Sequence, residues 1–359
     1  MRRPALLVAI VVALVACAPE PAPPAPDDHG LASYLDDLVE LRQFRGVVEV
    51  RRGDEVLLSK GFGQADVARD VPNEPDTRFR IASVTKMFTA LAVLMLQEEG
   101  KLAVGDRLCA HLASCPAAWQ AITIEQLLTH ISGLWDYNEL TEEDGARYLA
   151  EFGQRPTPAQ LLQTFVDRPL HFPPGTRWQY NNCGYDLLGM LVERHSGQTY
   201  GEFLHDRILE PLGMADSAYD PAQPGSEHDA TGYQDWTTPA ETLSDAVNFA
   251  NGGVYSTGPD LARWSRFLLT GKPAIVEQDT FAELLRPRVD AAVGVRYGYG
   301  VETRGTGEGT TIGHGGILPG FRSQVLVQPA SGLSVVVLSN LATVVPKTVA
   351  DNLVALAKT

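Results

Sequence analysis

The sequence predicts an α/β (α+β) fold: an antiparallel sheet flanked by helices, drawn from both ends of the chain, with an all-α lobe inserted between its halves. Three observations carry that prediction. Strand patterns lie at about residues 44–82, they return at about 295–340, and helical patterns dominate about 100–285 between them. The composition agrees with a folded body, since 359 residues that are 44% hydrophobic and 20% charged bury a substantial core. With 33 glycines and 24 prolines the chain stays below the level of a low-complexity or collagenous sequence, and no repeat of fixed period runs through it. Acidic residues outnumber basic ones by 44 to 29, and the field of a formal charge of −15 repels phosphate backbones, which argues against nucleic acid as a partner.

Taken in order, residues 1–16 place Arg2 and Arg3 ahead of an apolar stretch, Ala5–Ala16, too short to span a bilayer, and read as an export signal. Leu14-Val15-Ala16-Cys17 resembles a bacterial lipobox, in which the cysteine receives lipid before the signal is cut. The alternative is an ordinary signal peptide with Cys17 incidental. The proline-rich run Ala18–Pro26 stays extended, so residues 17–30 read as a linker between a lipidated Cys17 and the folded unit, 31–359. The membrane is then a partner through the N-terminal lipid. The expected site is the periplasm, and Ala18 after the cysteine, by resemblance to Gram-negative lipoproteins, points to the outer membrane.

Leucines at positions 35, 38 and 41 predict a helix over Leu31–Gln43, followed by two strands, Gly46–Val50 and Val56–Ser59, around an Arg52-Gly53-Asp54 turn. Phe79–Ala82 is short and apolar, and Thr85–Glu99 predicts a long buried helix that stops at Gly100. Helical patterns follow at Ile124–His130, Pro158–Asp167, Tyr185–His195, Gly201–Leu209 and Pro259–Leu269. Strands are predicted at Tyr297–Glu302, Thr310–Gly313, Arg322–Gln328 and Leu333–Leu338, the last two joined by the turn at 329–332, and a helix at Pro346–Ala357 closes the chain. Cys109 and Cys115 are candidates for a small disulfide in an oxidising compartment, the alternative being two free thiols; Cys183 reads as a small buried hydrophobe.

Three motifs bear chemistry. Ser83-Val84-Thr85-Lys86 puts a hydroxyl and an ammonium on one face at the start of an almost wholly apolar helix, whose N-terminus adds backbone donors. A lysine there is expected to face a cleft. Tyr180-Asn181-Asn182 follows a proline-glycine turn, and in an extended segment Tyr180 and Asn182 would point the same way. The glycines of His314-Gly315-Gly316, ahead of Ile317, mark a strand that something approaches closely. The eight histidines form no His-x-His-x-Asp or His-Glu-x-x-His, and no Gly-x-Ser-x-Gly elbow occurs, so no metal and no α/β-hydrolase site is expected. Gly305–Gly309 lacks the lysine of a phosphate loop and reads as a hairpin loop, and His130 reads as a packed core histidine.

In this order the three motifs resemble those of the serine β-lactamase and penicillin-binding-protein superfamily, in the branch of class C β-lactamases, D-Ala-D-Ala carboxypeptidases and related esterases. The stretches Leu127–Leu134 and Glu210–Met214 add to the resemblance, which runs from about residue 30 to the C-terminus. It implies a β-lactamase/transpeptidase-like fold and no cofactor. It also implies a serine hydrolase acting through an acyl-enzyme on an ester or amide, with a D-amino acid peptide, a β-lactam or a short-chain ester as substrate. The alternative is a catalytically weak penicillin-binding or cell-wall scaffold protein of the same fold.

Carried over, Ser83 is the nucleophile, Lys86 its proton acceptor or electrostatic partner, and Tyr180 a phenolate that shuttles the proton. A tyrosine ionised near pH 7 needs about 4 kcal/mol of favourable interaction, which a cationic Lys86 is expected to supply. Asn182 would bond the substrate amide, the N–H groups of Ser83 and Ile317 would form the oxyanion hole beside Gly316, and His314 would line the same wall. Class C enzymes carry lysine where this chain has His314, which shifts weight from β-lactams toward peptidase or esterase chemistry. Arg322 is placed to supply that charge but reads as a solvated strand residue. The Ser-Asp-Asn signature of class A enzymes is absent, and the oligomeric state is not legible.

Overall fold

The computed structural model describes residues 30–358 except 142, 145–146, 148–149, 152–156, 220–227 and 241–247; the signal and Cys17 lie outside the described residues. Helix α1 (Leu31–Glu40) leads into β1 (Gly46–Arg52) and β2 (Glu55–Phe62), a hairpin turning at Gly53. Short strands β3 (Gln64–Asp66), β4 (Val71–Pro72) and β5 (Phe79–Arg80) precede α2 (Thr85–Glu98). Between the sheet halves come α3 (Ile124–Leu128), α4 (Pro158–Phe165), α5 (Asn182–Ser196), α6 (Tyr200–Leu204), β6 (Tyr255–Ser256), α7 (Gly258–Thr270) and α8 (Gln278–Leu285). Strands β7 (Val289–Ala292), β8 (Val295–Tyr297), β9 (Glu302–Arg304), β10 (Thr311–Leu318), β11 (Phe321–Gln328) and β12 (Leu333–Ser339) follow, and α9 (Pro346–Leu356) closes the chain.

The chain ends meet in one antiparallel sheet of order β2-β1-β12-β11-β10-β9-β8-β7, with Val48 opposite Val337. Both faces are covered, which is why β12 is buried along its whole length and carries the apolar run Val335–Leu338. The two-residue period sends Val335 and Val337 into a core with α1 and α9, and Val336 and Leu338 into the larger core with α7 and the helical lobe. Helix α2 is buried without interruption from Thr85 to Leu96 and packs on α5.

Two sequence expectations change. The predicted strand Tyr297–Glu302 is split, because Gly298 N–H bonds Val301 O at 2.8 Å and Gly300 turns at φ +69°, where a β-carbon would lie 2.5 Å from the Lys86 carbonyl. The strand expected to end at Gly313 instead runs on to Leu318. Its glycines lower strand propensity yet permit contact, since a β-carbon on Gly316 would lie 2.3 Å from Ile81 O and from Ser323 Oγ. Cys109 and Cys115 are bonded, their α-carbons 5.3 Å apart, and Cys183 is buried and free. Among the described residues no helix is long and apolar enough to cross a membrane.

Candidate active site

Ser83 sits in a 3-10 turn, Ala82–Val84, wedged between β5 and α2 rather than on the helix proper. Ala82 takes φ +50°, a left-handed conformation that costs a residue with a side chain about 1–3 kcal/mol. Its surroundings hold it there. Ile81 N–H bonds Val254 O at 3.0 Å, and Ser323 Oγ on β11 donates to Ile81 O at 2.7 Å. The sheet thereby clamps the residue two before the serine.

One turn on, Lys86 is completely buried. Its ammonium donates to Asn182 Oδ1 at 2.8 Å, to the Asn251 carbonyl at 2.8 Å and to Ser83 Oγ at 3.3 Å, and it lies 4.7 Å from the centre of the Tyr180 ring. Burial lowers its pKa from 10.5 to about 7, against the pull of Asp186 and Asp136.

Tyr180 and Asn182 do not lie in one extended segment. Asn181 is the N-cap of α5, its Oδ1 accepting from Gly184 N–H at 2.7 Å, so Asn182 already belongs to the helix. Both side chains nevertheless reach Lys86. Asp136 accepts the Asn182 backbone N–H and anchors this end of α5. Part of the Tyr180 ring opens on the cleft, while its buried hydroxyl faces Ser83 without a hydrogen bond of ordinary geometry. Burial pushes that hydroxyl well above its usual pKa, and the approach to Ser83 only partly offsets the rise. The resting site therefore holds a neutral tyrosine beside an amine that titrates near neutrality, the reverse of a phenolate beside a fixed cation.

His314 is buried on β10 with both ring nitrogens engaged. Nδ1 lies 2.6 Å from the Gly315 carbonyl, which only accepts, so Nδ1 carries the proton and Nε2 accepts from Tyr297 Oη at 2.9 Å. That neutral form agrees with a pKa lowered by burial and by Lys86. Gly316 lies against the Ser83 turn, Ile317 is 70% exposed, and both border, with Ser83, Tyr180, Asn182 and His314, a cleft of about 850 Å³. Arg322 lines the same cleft and is half-buried, which corrects the expectation of a solvated residue. His130 is buried as expected, accepting from Asn181 N–H at 3.1 Å, and its ring lies 4.4 Å from that of Tyr180.

Sequence reasoning missed Asp136, Asn251, Asp186 and Tyr297. Asp186, one helical turn beyond Asn182, accepts from Asn251 Nδ2 at 2.8 Å, and burial raises its pKa to about 8. A lone aspartate or asparagine has no pattern to mark it, and each of these acts only through the fold that brings it behind Lys86.

The arrangement can take a proton from Ser83, since its hydroxyl, an amine near neutrality and a tyrosine hydroxyl are neighbours. A family model described as Beta-lactamase matches residues 31–358. Protein flp of Staphylococcus aureus (strain MW2) is 30% identical over 305 residues, covering 82% of this chain and 59% of that protein, so the chain spans less than two thirds of that relative. A penicillin binding protein from Bacillus halodurans is similar in structure, with a TM-score of 0.79 at 29% identity over 90% of this chain and 98% of that one. D-amino acid amidase from Ochrobactrum anthropi SV3 shares the fold, with a TM-score of 0.78 at 22% identity over 92% of this chain and 98% of that one.

Proposed function

The chain belongs to the Beta-lactamase family, and from that premise we propose that it is a serine hydrolase that cleaves an ester or amide through an acyl-enzyme on Ser83. The observation that carries the proposal is the convergence of the Lys86 ammonium on Ser83 Oγ and Asn182 Oδ1. With a pKa near 7, Lys86 is available as a neutral amine at working pH and takes the Ser83 proton as Oγ attacks the carbonyl carbon. The carbonyl π electrons move to oxygen, and the oxyanion is held by the N–H groups of Ser83 and Ile317, donors of a kind worth about 10²–10³ in rate.

When the tetrahedral intermediate collapses, the bond to the leaving group breaks. The proton passes from Lys86 through the neutral Tyr180 hydroxyl, which donates its own proton to the leaving atom and receives that of the ammonium. Water then attacks the acyl carbon with the same groups reversed, releasing the acid and restoring Ser83. Asn182 positions the substrate amide. Ser83→Ala is expected to abolish turnover of p-nitrophenyl butyrate while leaving the circular dichroism unchanged, and undiminished turnover would refute the proposal.

The preceding segment extends it: a lipidated Cys17 would tether the enzyme to the outer membrane from the periplasmic side, in accord with the export signal and proline-rich linker. Cys17→Ser should then release the protein into the soluble fraction, and retention on membranes would count against the anchor.

A further inference from the structure

One buried carboxyl group beside the reacting residues takes no part in the proton path described above. Asp186 is completely buried on α5, one turn after Asn182, so the two side chains share a face of the helix. Asn182 reaches the Lys86 ammonium directly, through Oδ1 at 2.8 Å. Asp186 reaches it through a second residue. Its Oδ1 accepts from Asn251 Nδ2 at 2.8 Å and from the Asn251 N–H at 3.3 Å, and the Asn251 carbonyl in turn accepts from Lys86 Nζ at 2.8 Å.

Asn251 stands in a turn, outside any helix or strand, so no regular backbone ladder sets the direction of its carbonyl. Two of the heavy groups on its α-carbon, the amide nitrogen and the side chain, are bound to one carboxyl oxygen, which fixes the place of the third, the carbonyl. Oδ2 of Asp186 has no hydrogen-bond partner among the described residues, so the group is committed to Asn251.

The consequence falls on Lys86. A neutral amine has two N–H bonds and one lone pair. Its N–H bonds are drawn to Asn182 Oδ1 and the Asn251 carbonyl, which only accept, and the lone pair is left to the third neighbour, Ser83 Oγ at 3.3 Å. A general base works only when its lone pair meets the proton it takes. Displacing either acceptor turns the amine away from the serine.

We propose that Asp186 is a positioning residue of the hydrolysis: acting through Asn251, it aims the Lys86 lone pair at the Ser83 hydroxyl. This rests on the reading of Lys86 as the base.

The test measures kcat and KM for p-nitrophenyl butyrate in variants whose circular dichroism matches wild type. The turn keeps other anchors on α2, since Thr89 Oγ1 donates to the Ala250 carbonyl at 2.6 Å and Val254 N–H donates to Thr85 Oγ1 at 3.1 Å. Asp186→Leu removes the acceptor at similar volume and should lower kcat by roughly 10- to 100-fold, the effect of a misplaced catalytic group. KM should stay within about 3-fold, because Asp186 does not border the cleft. Asp186→Asn keeps an oxygen for Asn251 and should hold kcat within about 3-fold of wild type. Asn251→Ala keeps the carbonyl but loses its tether, and should lower kcat by roughly 3- to 10-fold. Combining Asp186→Leu with Asn251→Ala should give the kcat of Asp186→Leu alone, because both changes break one linkage.

Wild-type kcat in Asp186→Leu or in Asn251→Ala would overturn the inference, and Asn251→Ala decides it alone if Asp186→Leu does not fold. So would losses that multiply in the double variant, a change confined to KM, or an Asp186→Asn as slow as Asp186→Leu, which would assign the effect to charge. Lys86→Met separates the two readings. If it is inactive while Asp186→Leu keeps full kcat, the base reading stands and only the inference fails; if it is active, the base reading itself falls.

Discussion

Replacing Lys86 by methionine should have opposite consequences for activity and for the pH dependence of stability. The side chain is wholly buried, and its pKa is lowered from 10.5 to about 7. The unfolded chain therefore holds the lysine proton more tightly than the folded one, so the penalty is full below about pH 7 and fades as pH rises toward 10.5. It amounts to about 4 kcal/mol at pH 7 and about 2 kcal/mol at pH 9. Methionine removes the penalty but leaves Asn182 Oδ1 and the Asn251 carbonyl without their donor, at about 1–3 kcal/mol each. Those losses do not depend on pH and cancel in a comparison. Urea unfolding at pH 7 and 9 should thus show the stability of Lys86→Met relative to wild type falling by about 2 kcal/mol between the two. Over the same range ester turnover in the variant should be down by about 10²–10⁴. A stability difference that does not change with pH would refute a depressed lysine pKa, and activity near that of wild type would refute its role as base.

Other outcomes follow from the same geometry. The wild-type kcat/KM for p-nitrophenyl butyrate should rise with pH through an apparent pKa near 7, as the Lys86 amine loses its proton, and a profile flat from pH 6 to 9 would contradict this. Gly316→Ala forces a β-carbon to within 2.3 Å of Ile81 O and Ser323 Oγ, and should lower melting by an amount equal to about 1–3 kcal/mol with a larger loss of activity, both read on the purified variant. Cys109→Ser opens a small ring and should cost roughly 2 kcal/mol in urea with little change in kcat, because the disulfide borders none of the cleft.

The sheet and the reacting groups were legible because each leaves a short-range pattern. Short apolar runs mark β1, β12 and, from Ala90 to Leu96, α2, and Ser83, Tyr180, Asn182 and His314 stand in compact motifs that the fold brings to one cleft with Lys86 buried behind Ser83. What escaped depends on tertiary contact. The left-handed Ala82 looks like any alanine, and Asp136 and Asn251 matter only because distant segments fold behind Lys86. The protonation of the Lys86–Tyr180 pair differs from the sequence expectation for the same reason, since the sequence shows a charge beside a ring but not that both are buried. Arg322 looked solvated because its alternation along β11 points away from the core, and only the hairpin carbonyls of Leu318 and Phe321 reveal how it is held over the cleft.

The most direct test is to trap the covalent intermediate. Wild-type protein mixed with p-nitrophenyl butyrate, quenched in acid within the first turnovers and digested, should carry a butyryl adduct on the peptide containing Ser83 and nowhere else. Lys86→Met should accumulate it far more slowly. Turnover without an adduct, or an adduct on another residue, would contradict acylation of Ser83.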